Sequence, residues 1–325
     1  MTRYARQIAL PEMGEDGQAR LRAAHVLVVG AGGLGVPVLQ YLAGAGVGKI
    51  TVMDGDRVEV TNLHRQPLYR MADLGRPKAE AAMAHLQDLN PDVTLHAVPD
   101  WLDPVNAREH VAKADLVLDC ADTFAASFTL SDTCLDSARP LISASALAFE
   151  GYVGGFCGAA PSIRAVFPDL PQSAATCATA GVMGPVVGMV GAAQAQMAIS
   201  TLLGLSPSPL GQMLRLDART WRSATFRFDT APEPEFAPAF VAASDLMPDD
   251  LIVDLRSEAA APFHPAAHHL PPDRLSELTP GAAPRVVLAC RTGLRAYHAA
   301  EALSARWDGR IDLLAVPPDA TRLIG

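Results

Sequence analysis

Gly30-Ala31-Gly32-Gly33-Leu34-Gly35 has the composition of a loop that lets backbone approach phosphate oxygens. Gly30, Gly32 and Gly35 fall in the G-x-G-x-x-G spacing, with Gly33 as an extra glycine, between an apolar run at 25–29 and a helical pattern at 36–45. A helix opening there offers unpaired N–H donors and partial positive charge. Asp54 stands 24 residues after Gly30, near the ~20 at which an acid meets a ribose hydroxyl. By itself this constellation indicates a nucleotide, with hydride transfer to or from NAD as its default use.

The residues after Asp54 argue for different chemistry. Asp54-Gly-Asp56-Arg-Val-Glu59-Val-Thr61-Asn62-Leu-His-Arg65-Gln66 is followed by Arg76-Pro-Lys78 at a helix start. Hydride transfer needs no Arg and Lys beside the phosphate loop, whereas expulsion of pyrophosphate does, because charge grows on the leaving oxygens. Arg65 suits a bidentate grip on phosphate and Lys78 a point charge. Asp122, just after a strand ending at Asp119, falls at the carboxyl edge where ligands bind and suits Mg²⁺. Taken singly, the acids read more readily as a solvated loop and the cations as surface charges; the order of all of them together favours a nucleotidyl-transfer site.

The five cysteines, at 120, 134, 157, 177 and 290, include no C-x-x-C pair, which argues against a disulfide framework and a zinc ribbon. Cys120, Cys134 and Cys157 read as core. Cys177 precedes a glycine-rich turn and has no Lys, Arg or His near it in sequence to lower its pKa, so on local grounds it reads as a small core residue. Cys290 ends an apolar run and opens Cys290-Arg291-Thr292-Gly293-Leu294-Arg295 before a helical pattern. Amide donors and two arginines there would stabilise a thiolate or persulfide. His64 is nearest the nucleotide chemistry, and His268 and His269 read as supports of a C-terminal unit.

These groups need a scaffold. Strand patterns at 25–29, 49–54, 93–98, 115–119 and 140–145 alternate with helical patterns at 36–45 and 78–89. That order predicts an α/β fold, a Rossmann-like mostly parallel sheet, extended by antiparallel strands at 151–157, 163–167, 213–217 and 224–229. A linker rich in Pro and Glu at 230–240 separates this domain (1–229) from a small α/β unit at 241–325, with strands at 251–255, 285–289 and 311–316 and a helix at 295–307. Hydrophobic residues make up 50% of the 325, which excludes global disorder, and the net charge of −9 argues against nucleic acid. The uncharged stretch between Asp169 and Arg215 is broken by Pro171, Pro185, Gln194 and Gln196, so it reads as a loop and a buried helix rather than a membrane span. The N-terminus lacks a signal-peptide core, and a cytoplasmic protein is expected.

The segments RYARQ (3–7), GAGGLG (30–35), D-x-D-x-V-E-x-x-N-L-x-R-Q (54–66), RPK (76–78), DCADTF (119–124) and CATAGVMGP (177–185) resemble the MoeB/ThiF adenylyltransferases, relatives of ubiquitin-activating enzymes, over residues 1 to about 229. The resemblance implies adenylation, by ATP and Mg²⁺, of the C-terminal Gly-Gly of a small ubiquitin-like sulfur carrier. It implies a homodimer in which Arg6 reaches the neighbouring subunit's ATP site. ATP and Mg²⁺ roles then fall to Gly33, Asp54, Asn62, Arg65, Lys78 and Asp122, with Asp56, Thr61, Gln66 and Thr123 in the same nucleotide site.

Cys177 corresponds to a family cysteine able to form a thioester or acyl-disulfide with the carrier. The chain departs from the family's T-D-N and Arg at Ala121, Thr123 and Ser127. Its first zinc C-x-x-C falls on Ser162 and Ala165 and the second is absent, so no zinc is expected and apolar packing is expected to hold the domain's tail. The Cys290 loop resembles that of rhodanese sulfurtransferases, with Asp254-Leu-Arg256 and Ala267-His-His-Leu-Pro271 as weaker echoes in a shortened domain. The combined expectation is an adenylating enzyme whose Cys290 persulfide, loaded by a donor such as a cysteine desulfurase, makes a carrier thiocarboxylate. Molybdopterin, thiamin and tRNA-thiolation pathways fit equally. The alternatives are a carrier-binding scaffold with a weakened ATP site, or adenylation of a different peptide C-terminus.

Overall fold

In the run His-Val-Leu-Val-Val, four successive buried apolar residues mark a strand covered on both faces. A computed structural model, describing residues 3–171, 181–256 and 262–318, places this strand near the middle of an eight-stranded sheet. In chain order come α1 (Ala5–Ile8), α2 (Gly14–Ala23), β1 (His25–Val29), α3 (Gly35–Ala45), β2 (Lys49–Met53), α4 (Lys78–Leu89), β3 (Thr94–Val98), α5 (Pro104–Lys113), β4 (Leu116–Asp119), α6 (Phe124–Asp136), β5 (Pro140–Leu147) and β6 (Glu150–Cys157). There follow α7 (Ile163–Val166), α8 (Gly184–Leu203), β7 (Gln212–Asp217), β8 (Arg222–Arg227), β9 (Leu251–Asp254), β10 (His268–His269), β11 (Arg285–Cys290), α9 (Leu294–Ser304) and β12 (Arg310–Ala315).

The large sheet runs β3-β2-β1-β4-β5-β6-β7-β8, parallel through β5 and antiparallel beyond. This is the expected Rossmann-like sheet with its antiparallel extension. Strand order reverses between β1 and β4, where Val28 pairs with Val52 on one side and Leu118 on the other, and the carboxyl ends of these strands open the crevice that receives ligands in such sheets. The second sheet, β10-β9-β11-β12, is parallel throughout.

One expected strand is instead a helix. The β-branched ends of Ile163-Arg-Ala-Val166 suggest a strand, but Ser162 Oγ accepts the N–H of Ala165 at 3.2 Å and starts the helical turn α7.

Alternate residues of β1 feed two cores. Val26 and Val28 pack with Leu39 and Leu42 of α3 and Val187 and Val190 of α8. The 20 residues of α8 are long and apolar enough to cross a membrane. Here, however, Gln194 at its middle is buried and donates to the carbonyls of Asp119 (2.7 Å) and Ile142 (2.9 Å), fastening α8 over the sheet. Leu27 and Val29 face the other way, into a core that contains Phe128 of α6 and also Val253, Leu288 and Tyr297 of the small unit.

The two units are thus joined by packing as well as by the linker. Val241 donates to Leu313 (2.8 Å) and Leu313 to Ala239 (2.8 Å), so the linker's end adds to β12. Tyr297 of α9 meets Phe128 (ring centroids 6.1 Å apart) and the linker's Phe236 (6.5 Å).

The tail of the large domain is held by more than the apolar packing expected. Phe228 stacks on Phe156 (5.1 Å), but Glu233 also accepts from the N–H of Ser162 (2.8 Å) and from its hydroxyl (2.5 Å). Next to it, Arg164 makes a two-point ion pair with Asp132 (2.7 and 2.9 Å), donates to Pro238 O (3.1 Å) and lies over the Phe128 ring. A serine–carboxylate clasp therefore occupies a position that the family resemblance assigns to a zinc ligand.

Candidate active site

Gly30 leaves β1 at φ +94°, with Cys120 O 2.6 Å from where a Cβ would stand. A Cβ on Gly35 would collide with the Gly30 carbonyl, so the turn into α3 closes tightly only with glycine at both positions. Asp54, just past β2, fixes this loop: Oδ2 accepts from Ala31 N–H at 2.7 Å and Oδ1 from Asp56 N–H at 2.8 Å. Burial pushes its carboxyl above the ordinary range, against the pull of the Lys78 charge and of the two N–H groups.

Lys78 opens α4. Only 5% exposed, its Nζ donates to Asp56 Oδ2 at 2.6 Å, while its backbone N–H donates to Asp56 O at 2.9 Å. Asp56 therefore acts on the lysine, holding it in place. Tyr69, whose buried hydroxyl donates to Ala31 O at 2.7 Å, pins the glycine loop to the β2–α4 segment.

The stem of Arg65 runs beside Gly33, its Cγ 3.6 Å from where a Cβ would stand. Its Nη1 donates to Thr61 O at 3.0 Å and meets His64 Nε2 at 2.9 Å. Asn62 is spent locally: its Oδ1 accepts from Glu59 N–H at 3.0 Å, and its carbonyl accepts from the N–H groups of Arg65 (3.1 Å) and Gln66 (3.0 Å), which sets the turn that aims Arg65. Thr61 donates its hydroxyl to Glu59 at 3.2 Å. Gln66 is buried with its amide beside Gly32.

On the other side of the crevice, Asp122 is exposed beyond the end of β4. Thr123 caps α6, its hydroxyl accepting from Ala126 N–H at 3.3 Å, so that oxygen is engaged in holding the helix. Asp119 beneath is buried and accepts from Ser143 Oγ (2.8 Å), Ala121 N–H (3.1 Å) and Ser127. Burial raises its carboxyl, and these donors oppose the rise. Among the described residues no cluster of three or more His, Cys, Asp or Glu is arranged to hold a metal. A lone exposed carboxylate such as Asp122 still fits Mg²⁺, which takes one or two carboxylates and completes its shell with water and substrate phosphates.

The glycine loop, Asp54, Asp56, Arg65, Gln66 and Lys78 thus meet on one side of the crevice, with Asp122 and Thr123 across it. Arg6 does not join them. Its short helix is tied by Gln7 to Ala45 O (2.8 Å) at the far end of α3, about 15 Å along that helix from the loop.

Cys290 ends β11, 2% exposed, its Sγ accepting from Ala296 N–H at 3.4 Å. Its loop faces inward: Gly293, at φ +90°, packs against the Phe240 ring and the backbone of Ala125. Cys177 lies outside the described residues. Burial raises the thiols of Cys120, Cys134 and Cys157, the last to about 12, which fits their reading as inert core. Tyr69 and the half-buried Trp101 after β3 lie outside every motif quoted above; only a three-dimensional view brings them to the crevice.

A Rossmann-like fold carrying two cations against a glycine loop defines a nucleotide-dependent class. The ThiF family model matches residues 4–236, and the chain belongs to that family. It is 43% identical to a sulfur carrier protein adenylyltransferase from Thermus thermophilus, over 70% of this chain and 88% of that protein. It is 40% identical to a SAMP-activating enzyme E1 from Haloferax volcanii, over 72% and 87%. With the adenylyltransferase and sulfurtransferase MOCS3 of Bos taurus it shares 45% identity over 66% of this chain but about half, 48%, of that protein. The fold is that of E. coli MccB in the structure with MccA-N7isoASN (TM-score 0.64, 22% identity, 72% of this chain and 74% of that one). The enzyme class is adenylyltransferase. The family match ends before the small unit begins.

Proposed function

We propose that this adenylyltransferase uses ATP to activate the C-terminal glycine of a small ubiquitin-like sulfur carrier. The observation that carries the reading is the joint placement of Arg65 and Lys78 against a glycine loop fixed by Asp54. In support, relatives that are 43% and 40% identical and matched over most of their length are named a sulfur carrier protein adenylyltransferase and a SAMP-activating enzyme E1.

Asp54 takes the ribose hydroxyls and the amides of the loop and of α3 face the phosphates. The carrier's carboxylate attacks the α-phosphorus, the bond from that phosphorus to the α,β-bridging oxygen breaks, pyrophosphate leaves, and Arg65 and Lys78 meet the charge that develops on it. Lys78 exchanges part of its pairing with Asp56 for phosphate. Mg²⁺, bound through Asp122 and the phosphates, would supply further charge neutralisation. Arg6 of a second copy completes the site, which makes the working form a homodimer, and the cytoplasm is its compartment.

The acyl-adenylate is then open to a sulfur nucleophile. A Cys290 persulfide, loaded by a cysteine desulfurase, attacks the acyl carbon with its terminal sulfur and AMP leaves. A thiol attacking the Cys290 Sγ next releases the thiocarboxylate and leaves a disulfide. Because Cys290 is sealed at the junction of the two units, this step requires the small unit to undock. The same burial favours a second reading for that unit alone, a fixed support of α6 and of carrier contact.

ATP–pyrophosphate exchange in the presence of candidate Gly-Gly carriers tests the first reading. Exchange that depends on one carrier and is lost when its last glycine is removed supports it. A folded, ATP-binding protein that exchanges with none of them favours the scaffold, and exchange with an unrelated peptide C-terminus favours a different substrate.

A further inference from the structure

Among the described residues, two buried side-chain polar atoms have no hydrogen-bond partner: Gln66 Oε1 and Trp101 Nε1. Such an atom is costly to bury when nothing satisfies it, so each asks for an explanation. Both belong to residues packed on the loops that frame the crevice. The Gln66 amide lies 3.6 Å from where a Cβ on Gly32 would stand. The Trp101 ring lies against Gly55, the residue after Asp54, and any side chain at 55 would stand 2.7–2.8 Å from the indole atoms.

Trp101 reaches this position because β3 pairs in parallel with β2, Val98 beside Met53, and Asp54 N–H donates to Val98 O at 3.1 Å. Its backbone is anchored at both ends. Its N–H donates to Asp100 Oδ1 (2.8 Å), and its carbonyl accepts from Asn106, a residue of α5 (2.8 Å). A large aromatic ring is thus held beside the ribose-binding acid, with its one donor unused.

We propose that Trp101 recognises the nucleoside part of the nucleotide: docking at Asp54 turns the ring far enough to give its indole N–H an acceptor on base or ribose, and the ring covers the base. This deepens the adenylation reading and rests on it. The position beside Asp54, rather than beside Arg65 and Lys78, assigns Trp101 to the nucleoside and not to the triphosphate. Asp54 alone would grip any ribonucleotide, so an aromatic wall with a single donor is where preference for one base arises.

The test uses the full chain with Trp221 and Trp307 replaced by Phe, so that Trp101 is the only emitter, alongside Trp101→Phe in the otherwise unaltered chain. Trp101 emission is expected to respond to ATP and to AMP but not to inorganic tripolyphosphate. Trp101→Phe keeps a ring and removes the donor. It should raise KM for ATP in pyrophosphate exchange by about tenfold, leave kcat and tripolyphosphate binding unchanged, and narrow the preference for ATP over GTP. Equal KM for ATP in the two proteins, or Trp101 emission that ignores ATP while calorimetry shows it bound, overturns the assignment and leaves the adenylation reading standing. Absence of any ATP binding by the unaltered chain removes that reading and this inference together.

Discussion

The backbone N–H of Ala125, in the first turn of α6, donates to the carbonyl of Thr292 in the Cys290 loop at 3.0 Å. Ala125 lies three residues after Asp122, so the Cys290 loop and the edge of the crevice share one helix start. Gly293 fits against Phe240 and Ala125, and Tyr297 fills the space below. Cys290, 2% exposed, thus stands at the base of a loop that is held by the contact joining the two units. Its alkylation by iodoacetamide is expected to be slow in the native protein and faster by about tenfold or more in Tyr297→Ala, which removes a buried ring from the junction at a cost of about 3–5 kcal/mol. Peptide mapping of the labelled cysteines reads the result. Equal, rapid labelling of Cys290 in both proteins would mean that the loop is open without undocking.

Lys78 is the more buried of the two cations and is already paired, at 2.6 Å, with Asp56. Lys78→Ala removes a charge positioned for the departing pyrophosphate and should lower kcat for exchange by about 10²-fold or more. Asp56→Asn leaves the ammonium in place but loosens it and should cost less, about tenfold. Arg65→Lys should resemble a loss rather than a conservative change, because one ammonium cannot replace a planar fork beside Gly33. If Asp56→Asn proved as damaging as Lys78→Ala, the acid would be a direct nucleotide ligand rather than the lysine's anchor.

The nucleotide half of this site was readable because its chemistry is written in contiguous residues: a glycine loop needs glycines in order, and Asp54 through Gln66 form one loop with local hydrogen bonds. What the sequence hid was tertiary. Nothing local distinguishes Trp101 from an ordinary loop residue, since its place against Gly55 arises from β3 lying beside β2. The engagement of Thr123 as a helix cap and of Asn62 as a turn lock is likewise invisible to spacing alone. Ile163–Val166 reads as strand because β-branched residues favour one, and a single capping serine reverses the outcome. The docking of the Cys290 loop depends on Phe240 and Ala125, far away in sequence, which no linear pattern encodes.

The Ser162–Glu233 clasp makes a prediction about metal dependence. Two hydrogen bonds to one carboxylate join the start of α7 to the linker, and Glu233→Ala leaves the Ser162 N–H and hydroxyl without their acceptor. A loss of about 1–3 kcal/mol is expected, read as a lower melting temperature, with faster proteolysis in the 230–240 linker. Addition of EDTA to the unaltered chain should leave the melting temperature unchanged. A fall on chelation, restored by zinc, would show that a metal rather than this clasp secures the tail.

In the small unit, Arg285 joins three acidic residues. It donates to Asp250 through both carboxylate oxygens, to Asp312 Oδ2 at 3.1 Å and to the Asp245 carbonyl at 2.8 Å. The hydrogen bonds from Arg285 hold the Asp250 carboxyl below its ordinary value of 3.8, more than offsetting the opposing effect of burial. A carboxyl depressed in the folded state contributes stability that is fully present above its unfolded value and is lost as pH falls through the depressed one. Thermal melts should therefore be insensitive to this group from neutral pH down to about 4, then fall in more acid solution. Asp250→Asn should be less stable than the parent at neutral pH, because it leaves a buried guanidinium short of one counter-charge. The gap between the two should close as pH falls through the depressed value of Asp250, where the parent is protonated too. A gap that stays constant across the whole range would mean that Asp250 acts through its shape and neutral hydrogen bonds, and not through its charge.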